Sequence, residues 1–313
     1  MNVETQSTPS AAAAAGARAL RSGAADADER PWLVGILNLT DDSFAGDGVG
    51  DDVDAALRRA EAMLDAGAEI LDVGAESSRP GAVEVPAAQE AARVAAVIDA
   101  ICRRFDAPVA VDTRRAATAR AALHAGARMV NDTSGAPTAA MATAVRDAGA
   151  HWVLMHVPHR LGQMGWSSAD AAIQDDRDAG VARVVADLEA MVAAAEALGV
   201  PTERLTVDPG IGFGKTAAQN LVFLRPLEAL SRLGRPLYVG PSRKSVLGVV
   251  TGRGVDERLM ATAAAVTAAI LAGARYVRVH DVAEMRDVVD VAWAIRQGDA
   301  TPVARGRRCR IWR

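Results

Sequence analysis

The chain has 313 residues, half of them hydrophobic, with a formal net charge of −4 and a pI near 5.8. That length supports one large core without a second domain, and the mild acidity gives no electrostatic reason to expect nucleic acid. Two cysteines, Cys102 and Cys309, with neither metal-ligand spacing nor an evident pairing, point to a reducing, cytoplasmic setting.

Residues 1–30 are Ala-rich, lack a continuous apolar stretch and read as a flexible arm. From Trp32 onward one unit recurs eight times: a short apolar run, a polar residue or glycine turn, then an amphipathic helix. The runs are Trp32–Leu37, Glu69–Val73, Pro108–Val111, Arg128–Val130, Trp152–Met155, Leu205–Val207, Pro236–Val239 and Tyr276–Val279. Just past them stand Asn38, Gly74-Ala75-Glu76, Asp112, Asn131-Asp132, His156, Asp208, Gly240-Pro241-Ser242 and His280. The spacing predicts helices over about 51–66, 86–104, 114–125, 137–148, 176–198, 217–233, 242–250 continuing to 256–273, and 281–297. Strands alternating with helices predict one α/β unit over 31–298, a single (β/α)8 TIM barrel whose polar strand ends form one rim. Ala-Gly-Ala triplets at Gly67, Gly126, Gly149 and Gly273 mark helix ends and are structural. The uncharged stretch Leu259–Ala274 is too short for a membrane span. Residues 299–313, with five arginines in the last ten, read as a basic disordered tail rather than a nucleic-acid or membrane contact.

Three loops, Asn38–Gly50, Gly74–Pro86 and His156–Asp175, exceed what a barrel needs and lie on the predicted rim, which marks them as binding loops. Asp112, Asn131 and Asp208 end strands 3, 4 and 6. Two carboxylates and an amide suit the donor-rich edge of a guanidine-like heterocycle; the competing reading is that each caps the helix that follows. The segment DPGIGFGK (Asp208–Lys215) fails as a P-loop, because three residues rather than four separate Gly210 from Gly214. It reads instead as a tight loop offering Phe213 as a flat wall. Ser242-Arg243-Lys244-Ser245 opens a helix after strand 7, an anion-binding corner. Arg278 and His280 alternate onto one face and should converge on that anion, unless Arg278 is an inward arginine paired with an acid. Asn38, with Asp41-Asp42-Ser43 beyond it, offers oxygen ligands for magnesium beside substrate phosphates. His124, His151 and His159 read as incidental.

Taken together, GILNLTDDSF (Gly35–Phe44), DVGAESSRPGA (Asp72–Ala82), Val111–Thr113, NDTSG (Asn131–Gly135), Leu154–His156, Asp208–Lys215, GPSRKS (Gly240–Ser245) and RVHDV (Arg278–Val282) resemble dihydropteroate synthase, in order, across about residues 32–297. The resemblance implies condensation of 6-hydroxymethyl-7,8-dihydropterin diphosphate with 4-aminobenzoate, magnesium as cofactor, a sulfonamide-sensitive site and a homodimer. It places Asp112, Asn131, Asp208 and Lys244 on the pterin, with Asp112, Asp208 and Lys244 catalytic. Asn38, Arg79, Arg278 and His280 fall on diphosphate and magnesium, with Asn38 as metal ligand. Ser78, Pro80 and Ser242 fall on the aminobenzoate, with Gly240 in the same turn. Phe44 lines the aminobenzoate side and Met155 the pterin side, and Phe213, the flat wall, is counted among the substrate-binding residues.

Four positions depart from that pattern: Asp41, Ala75, Ser78 and Pro241 stand where Pro, Gly, Thr and a small unconstrained residue are usual. Pro241 is the most awkward, since it constrains Gly240 and removes a backbone donor. The loop after strand 5 also differs, and these changes bear on affinity for 4-aminobenzoate or sulfonamides. Two alternatives stand beside this reading. A methyltetrahydrofolate-corrinoid methyltransferase would share the Asp, Asn, Asp set but need no diphosphate pocket. A catalytically weak pterin-binding paralogue would keep the site without turnover.

Overall fold

The computed structural model describes residues 30–39, 52–74, 85–158, 177–225 and 228–301. Eight strands appear: β1 (Trp32–Asn38), β2 (Ile70–Gly74), β3 (Val109–Asp112), β4 (Met129–Asp132), β5 (His151–Met155), β6 (Leu205–Asp208), β7 (Tyr238–Val239) and β8 (Tyr276–Val279). All pair in parallel in the order β6-β5-β4-β3-β2-β1-β8-β7, and a parallel bridge from Val207 to Leu237 joins β6 to β7 and closes the ring. The helices around it are α1 (Val53–Asp65), α2 (Ala87–Arg104), α3 (Ala116–His124), α4 (Ala139–Ala148), α5 (Arg177–Ala197), α6 (Ala217–Val222), α7 (Glu228–Ser231), α8 (Ser245–Thr251), α9 (Leu259–Leu271) and α10 (Val282–Gln297). This is the predicted (β/α)8 barrel.

Alternation along each strand divides the core in two. Leu33, Leu37, Leu71, Val73, Val111, Val130, Trp152, Leu154, Val207 and Val277 face outward into the layer shared with the helices. Trp32, Val34, Ile70, Ala110, Met129, Val153, Tyr238 and Tyr276 fill the barrel interior. Each fully buried Val or Leu contributes roughly 1.5–3 kcal/mol, so both layers resist a shift of register. Above the interior layer the same inward parity brings up Asn38, Asp72, Asp112, Asn131, Asp208 and Arg278, and this parity builds the site.

Two predicted helices need correction. The stretch 217–233 is two helices, α6 and α7, and Pro226 stands between them in the sequence, where its missing N–H cannot continue a helix. The helix expected from Ser242 begins only at Ser245. Arg243 takes φ +55° and Lys244 is extended, so neither can belong to a right-handed helix. Strand 7 is also shorter than its apolar run: Leu237 lies just outside it, in the closing bridge, and its carbonyl accepts from the Arg275 and Tyr276 N–H groups. The proposed arm before Arg30 and most of the proposed tail lie outside the described residues.

Candidate active site

The inward strand ends converge at the C-terminal mouth of the barrel. Asp112 and Asn131 are register partners across β3 and β4, and Met155 and Asp208 are partners across β5 and β6. Arg278, inward from β8, reaches across: Nη2 donates to Asp112 Oδ2 at 2.8 Å and Nε donates to Asp72 Oδ2. Asp72, fully buried inside β2, also accepts from Asn131 Nδ2 at 3.0 Å and from the Tyr238 hydroxyl at 3.3 Å. Arg278 is therefore the acid-paired arginine that the sequence left as an alternative, and His280, two residues on, shares its inward parity at the end of β8.

His280 is held at the rim by a second set of bonds. The Ser242 hydroxyl accepts from the His280 backbone N–H at 3.2 Å and lies 2.9 Å from Nδ1. A hydroxyl donates once and accepts twice, so this contact fixes the ring's place and suits either tautomer. Ser242, assigned by resemblance to the aminobenzoate, spends its hydroxyl on orienting this histidine. Of the two basic residues at the turn, only Lys244 serves the mouth, its Nζ lying 4.2 Å from the centre of the Phe213 ring. Arg243 pairs instead with Asp281, its backbone N–H donates to Thr262 Oγ1 at 3.0 Å and its carbonyl accepts from Arg258 at 2.9 Å, which fixes the turn after β7. Gly240, half-buried, sits so that an added Cβ would come 3.7 Å from Arg278 Cβ.

The wall of the mouth is a small apolar cluster of Met155, Val157 and Phe213. Phe213 owes its place to the loop after β6. Gly210 has φ +68°, and a Cβ there would lie 2.0 Å from the His156 carbonyl oxygen, so only glycine fits. The Gly210 N–H donates to Asp208 Oδ1 at 2.7 Å, and the Gly212 N–H donates to Asn220 Oδ1 at 2.7 Å. Lys215 is buried and donates to three carbonyls, those of Gly210, Phe213 and His156, at 3.0, 3.2 and 3.3 Å. A lysine so engaged does not bind phosphate, which agrees with the rejection of a P-loop.

Burial sets the electrostatics. It pushes Asp208 up to about 6, against the Gly210 N–H and the nearby lysines, and Asp112 up to about 6, with Arg278 pulling down and Asp72 adding to the rise. It pushes Lys244 down to about 8, assisted by Arg278 and opposed by Asp208 and Asp112. The mutual influence of these four groups places them in one electrostatic unit. Helix capping does not explain them: α3 follows Arg115 with no side-chain cap, α4 is capped by Thr138 and α6 by Thr216, while Asp208 accepts from the Gly210 N–H in its own turn.

Some rim residues of the sequence reading face elsewhere. Asp132 and His156 lie on the outward parity. Asp132 accepts from Trp152 Nε1 at 3.1 Å and from the Ser134 N–H at 2.9 Å, and burial raises it to about 6. His156 Nε2 lies 3.2 Å from Asp187 of α5, and burial lowers it to about 4. His151, buried at the opposite end of β5, is likewise pushed down to about 4 by burial and plays no part in the mouth. Phe44, Ser78, Arg79, Pro80, Asp41 and the loop 159–176 lie outside the described residues. The sequence reading missed Asp72; a lone acid at the centre of an apolar strand was its available signal.

A family profile described as "Pterin binding enzyme" matches residues 34–280. The dihydropteroate synthase of Synechocystis is 40% identical over 274 residues, covering 86% of this chain and 92% of its own length. The chain belongs to the dihydropteroate synthase family. A Haloferax volcanii relative, named a probable bifunctional folylpolyglutamate synthase/dihydropteroate synthase, is 42% identical over 88% of this chain, which spans only 33% of that longer protein. Among solved structures, the Xanthomonas albilineans dihydropteroate synthase with 4-aminobenzoic acid superposes with a TM-score of 0.75 at 37% identity, covering 88% of this chain and 95% of the other. The same enzyme in complex with 7,8-dihydropteroate gives 0.73 at 36% identity over the same shares.

Proposed function

We propose that the chain joins 6-hydroxymethyl-7,8-dihydropterin diphosphate to 4-aminobenzoate, forming 7,8-dihydropteroate and releasing diphosphate. The observation that carries this reading is the gathering of Asp112, Asn131, Asp208 and Lys244 at one mouth, acceptors for a donor-rich ring beside cations for its leaving group. Relatives of this length carry that activity in their names, and the Xanthomonas albilineans enzyme was solved with both 4-aminobenzoic acid and dihydropteroate.

The C–O bond to diphosphate breaks first, and the leaving oxygens take its electron pair while Arg278, His280 and, by the family resemblance, Arg79 offset their charge. The dihydropterin ring delocalises the cation left on the methylene, and the ionised Asp112 and Asp208 stabilise it electrostatically. Lys244 and Phe213 orient the ring. The neutral aniline nitrogen then attacks the methylene, forms the C–N bond and loses a proton to water, so positioning rather than a strong base does the catalysis.

Magnesium fits this mouth only in company with substrate. Among the described residues no group of three or more His, Cys, Asp or Glu could hold a metal ion. The half-buried Asn38 amide at the end of β1 is one oxygen ligand that diphosphate oxygens and water would complete. When bound, the ion neutralises charge on the leaving diphosphate.

Three further readings rest on the same basis. A homodimer is supported by exposed apolar side chains on adjacent helices: Val249 and Val250 of α8, Met260 and Leu271 of α9, and Val291 and Ile295 of α10. A cytoplasmic setting is supported by Cys102, a free half-buried thiol; among the described residues no helix is long and apolar enough to cross a membrane. Sulfonamides would compete with 4-aminobenzoate. The deciding experiment incubates purified protein with the pterin diphosphate, magnesium and 4-aminobenzoate and follows dihydropteroate. Product with the wild type and none with Lys244→Ala supports the assignment; no product with the wild type overturns it in favour of a pterin-binding paralogue.

A further inference from the structure

We infer that Asp72 is a positioning residue for this reaction: it decides which atom of Asn131 faces the mouth and serves as the pivot on which Arg278 exchanges Asp112 for substrate. The inference rests on the function proposed above and concerns a side chain that the mechanism leaves aside.

Asp72 sits in the middle of β2, fully buried, and its Oδ2 gathers three donors from three other strands: Asn131 Nδ2 at 3.0 Å, the Tyr238 hydroxyl at 3.3 Å and Arg278 Nε. An ionised carboxylate only accepts. The amide of Asn131 must therefore turn its nitrogen to Asp72, since the opposite flip would set two oxygens against each other. Asn131 Oδ1 is left buried with no partner, and such an atom is costly until something donates to it. A carboxamide could have offered a ligand either role; Asp72 removes one. The mouth then presents Asn131 Oδ1, Asp112 and Asp208 as acceptors only, so the ring that fits must bring N–H donors to all three.

Arg278 is the second consequence. Asp72 holds it by Nε, the nitrogen nearest the stem, while Nη2 reaches Asp112 at 2.8 Å. A ligand N–H that takes Asp112 displaces Nη2 without detaching the guanidinium. The freed edge turns about its Asp72 contact toward the phosphate oxygens, so ring binding and diphosphate binding are coupled through one side chain. Tyr238 keeps the pivot still: its ring stacks on Tyr276, centroids 5.8 Å apart, and its hydroxyl pins the carboxylate.

The test is steady-state kinetics of the full chain carrying Asp72→Asn or Tyr238→Phe, with the two substrates varied separately. Asp72→Asn should raise KM for the pterin diphosphate about tenfold or more, the scale of one charged hydrogen bond. KM for 4-aminobenzoate should stay within about twofold, because that substrate meets neither Asn131 nor Arg278. Tyr238→Phe removes only the longest of the three bonds and should move the same constant about twofold to threefold; it carries the test if Asp72→Asn does not fold. A pteroate-bound crystal structure should show a ligand N–H on Asn131 Oδ1. Equal changes in both KM values, no change in either, or Asn131 Nδ2 turned to the ligand would overturn the inference while an active wild type left the function standing. A wild type that makes no dihydropteroate removes the function and this inference together.

Discussion

The barrel holds a charged network at each end, and the two are built to opposite purposes. At the N-terminal floor, Arg30 and Arg286 each bridge Glu69 and Asp290, at distances between 2.8 and 3.2 Å. Two guanidinium groups meet two carboxylates and the set is balanced. At the mouth, Asp72, Asp112 and Asp208 face Arg278 and Lys244, and buried Asp72 Oδ1 and Asn131 Oδ1 have no partner. The floor balances its charges within the chain, with Arg286 Nε its one donor here left over, whereas the mouth carries more acid than base and its leftover atoms are acceptors open to a donor-rich ligand. In barrels of this kind the floor serves stability and the mouth serves chemistry, and here that division can be read from the balance of acids and bases at each end.

The sharpest way to break the contrast is to remove a mouth charge. Asp208→Ala or Lys244→Ala should lower kcat/KM by about 100-fold or more, the cost of losing one preorganised electrostatic partner, and in Asp208→Ala the melting temperature holds or rises, because one of the mouth's surplus buried carboxylates goes with the side chain. The mirror experiment is Arg286→Ala at the floor. It strands Glu69 and Asp290 with Arg30 alone and should cost about 3 kcal/mol in chemical denaturation, with activity per folded molecule unchanged at low temperature. An Asp208→Ala variant that melts early and a floor variant that turns over poorly would erase the distinction.

A titration sharpens it further. Asp208 and Asp112, raised to about 6, must both be ionised to act as acceptors, so kcat/KM should fall below that point with a slope that steepens toward about 100-fold per pH unit. Lys244, lowered to about 8, loses its charge above that value, so a second fall should begin there. Lys244→Arg should remove the alkaline limb even where it lowers the plateau. The smallest effect is expected for Phe213→Leu. It forfeits the ring beneath Lys244 but keeps an apolar wall with Met155 and Val157, so KM for the pterin diphosphate should rise about fivefold, near 1 kcal/mol.

How far the sequence could be read follows from these same residues. Strand period and strand-end chemistry made the barrel and the set Asp112, Asn131 and Asp208 legible, since apolar runs followed by acids leave few other arrangements. Parity within a strand end was harder. Asp132 is one residue beyond Asn131, His156 one beyond Met155, and that single step turns each to the outer face, toward Trp152 and Asp187. Asp72 stayed hidden for the opposite reason: it lies inside an apolar run, where hydrophobic pattern outweighs a lone acid. The left-handed Arg243 that delays α8 has no signature in residue type, because asparagine or glycine would be the usual choice there. Its stabilising contacts with Asp281, Thr262 and Arg258 come from elements far along the chain.

One of the quieter features of the mouth has a wider reach. The Lys215 ammonium gathers carbonyls from two successive connections, His156 after β5 and both Gly210 and Phe213 after β6. Those connections are thereby riveted into one plate, and a replacement beside His156 will be felt at the aromatic ring although the two are remote in the chain. Selection for a changed response to inhibitors could thus act from a position that never meets the inhibitor.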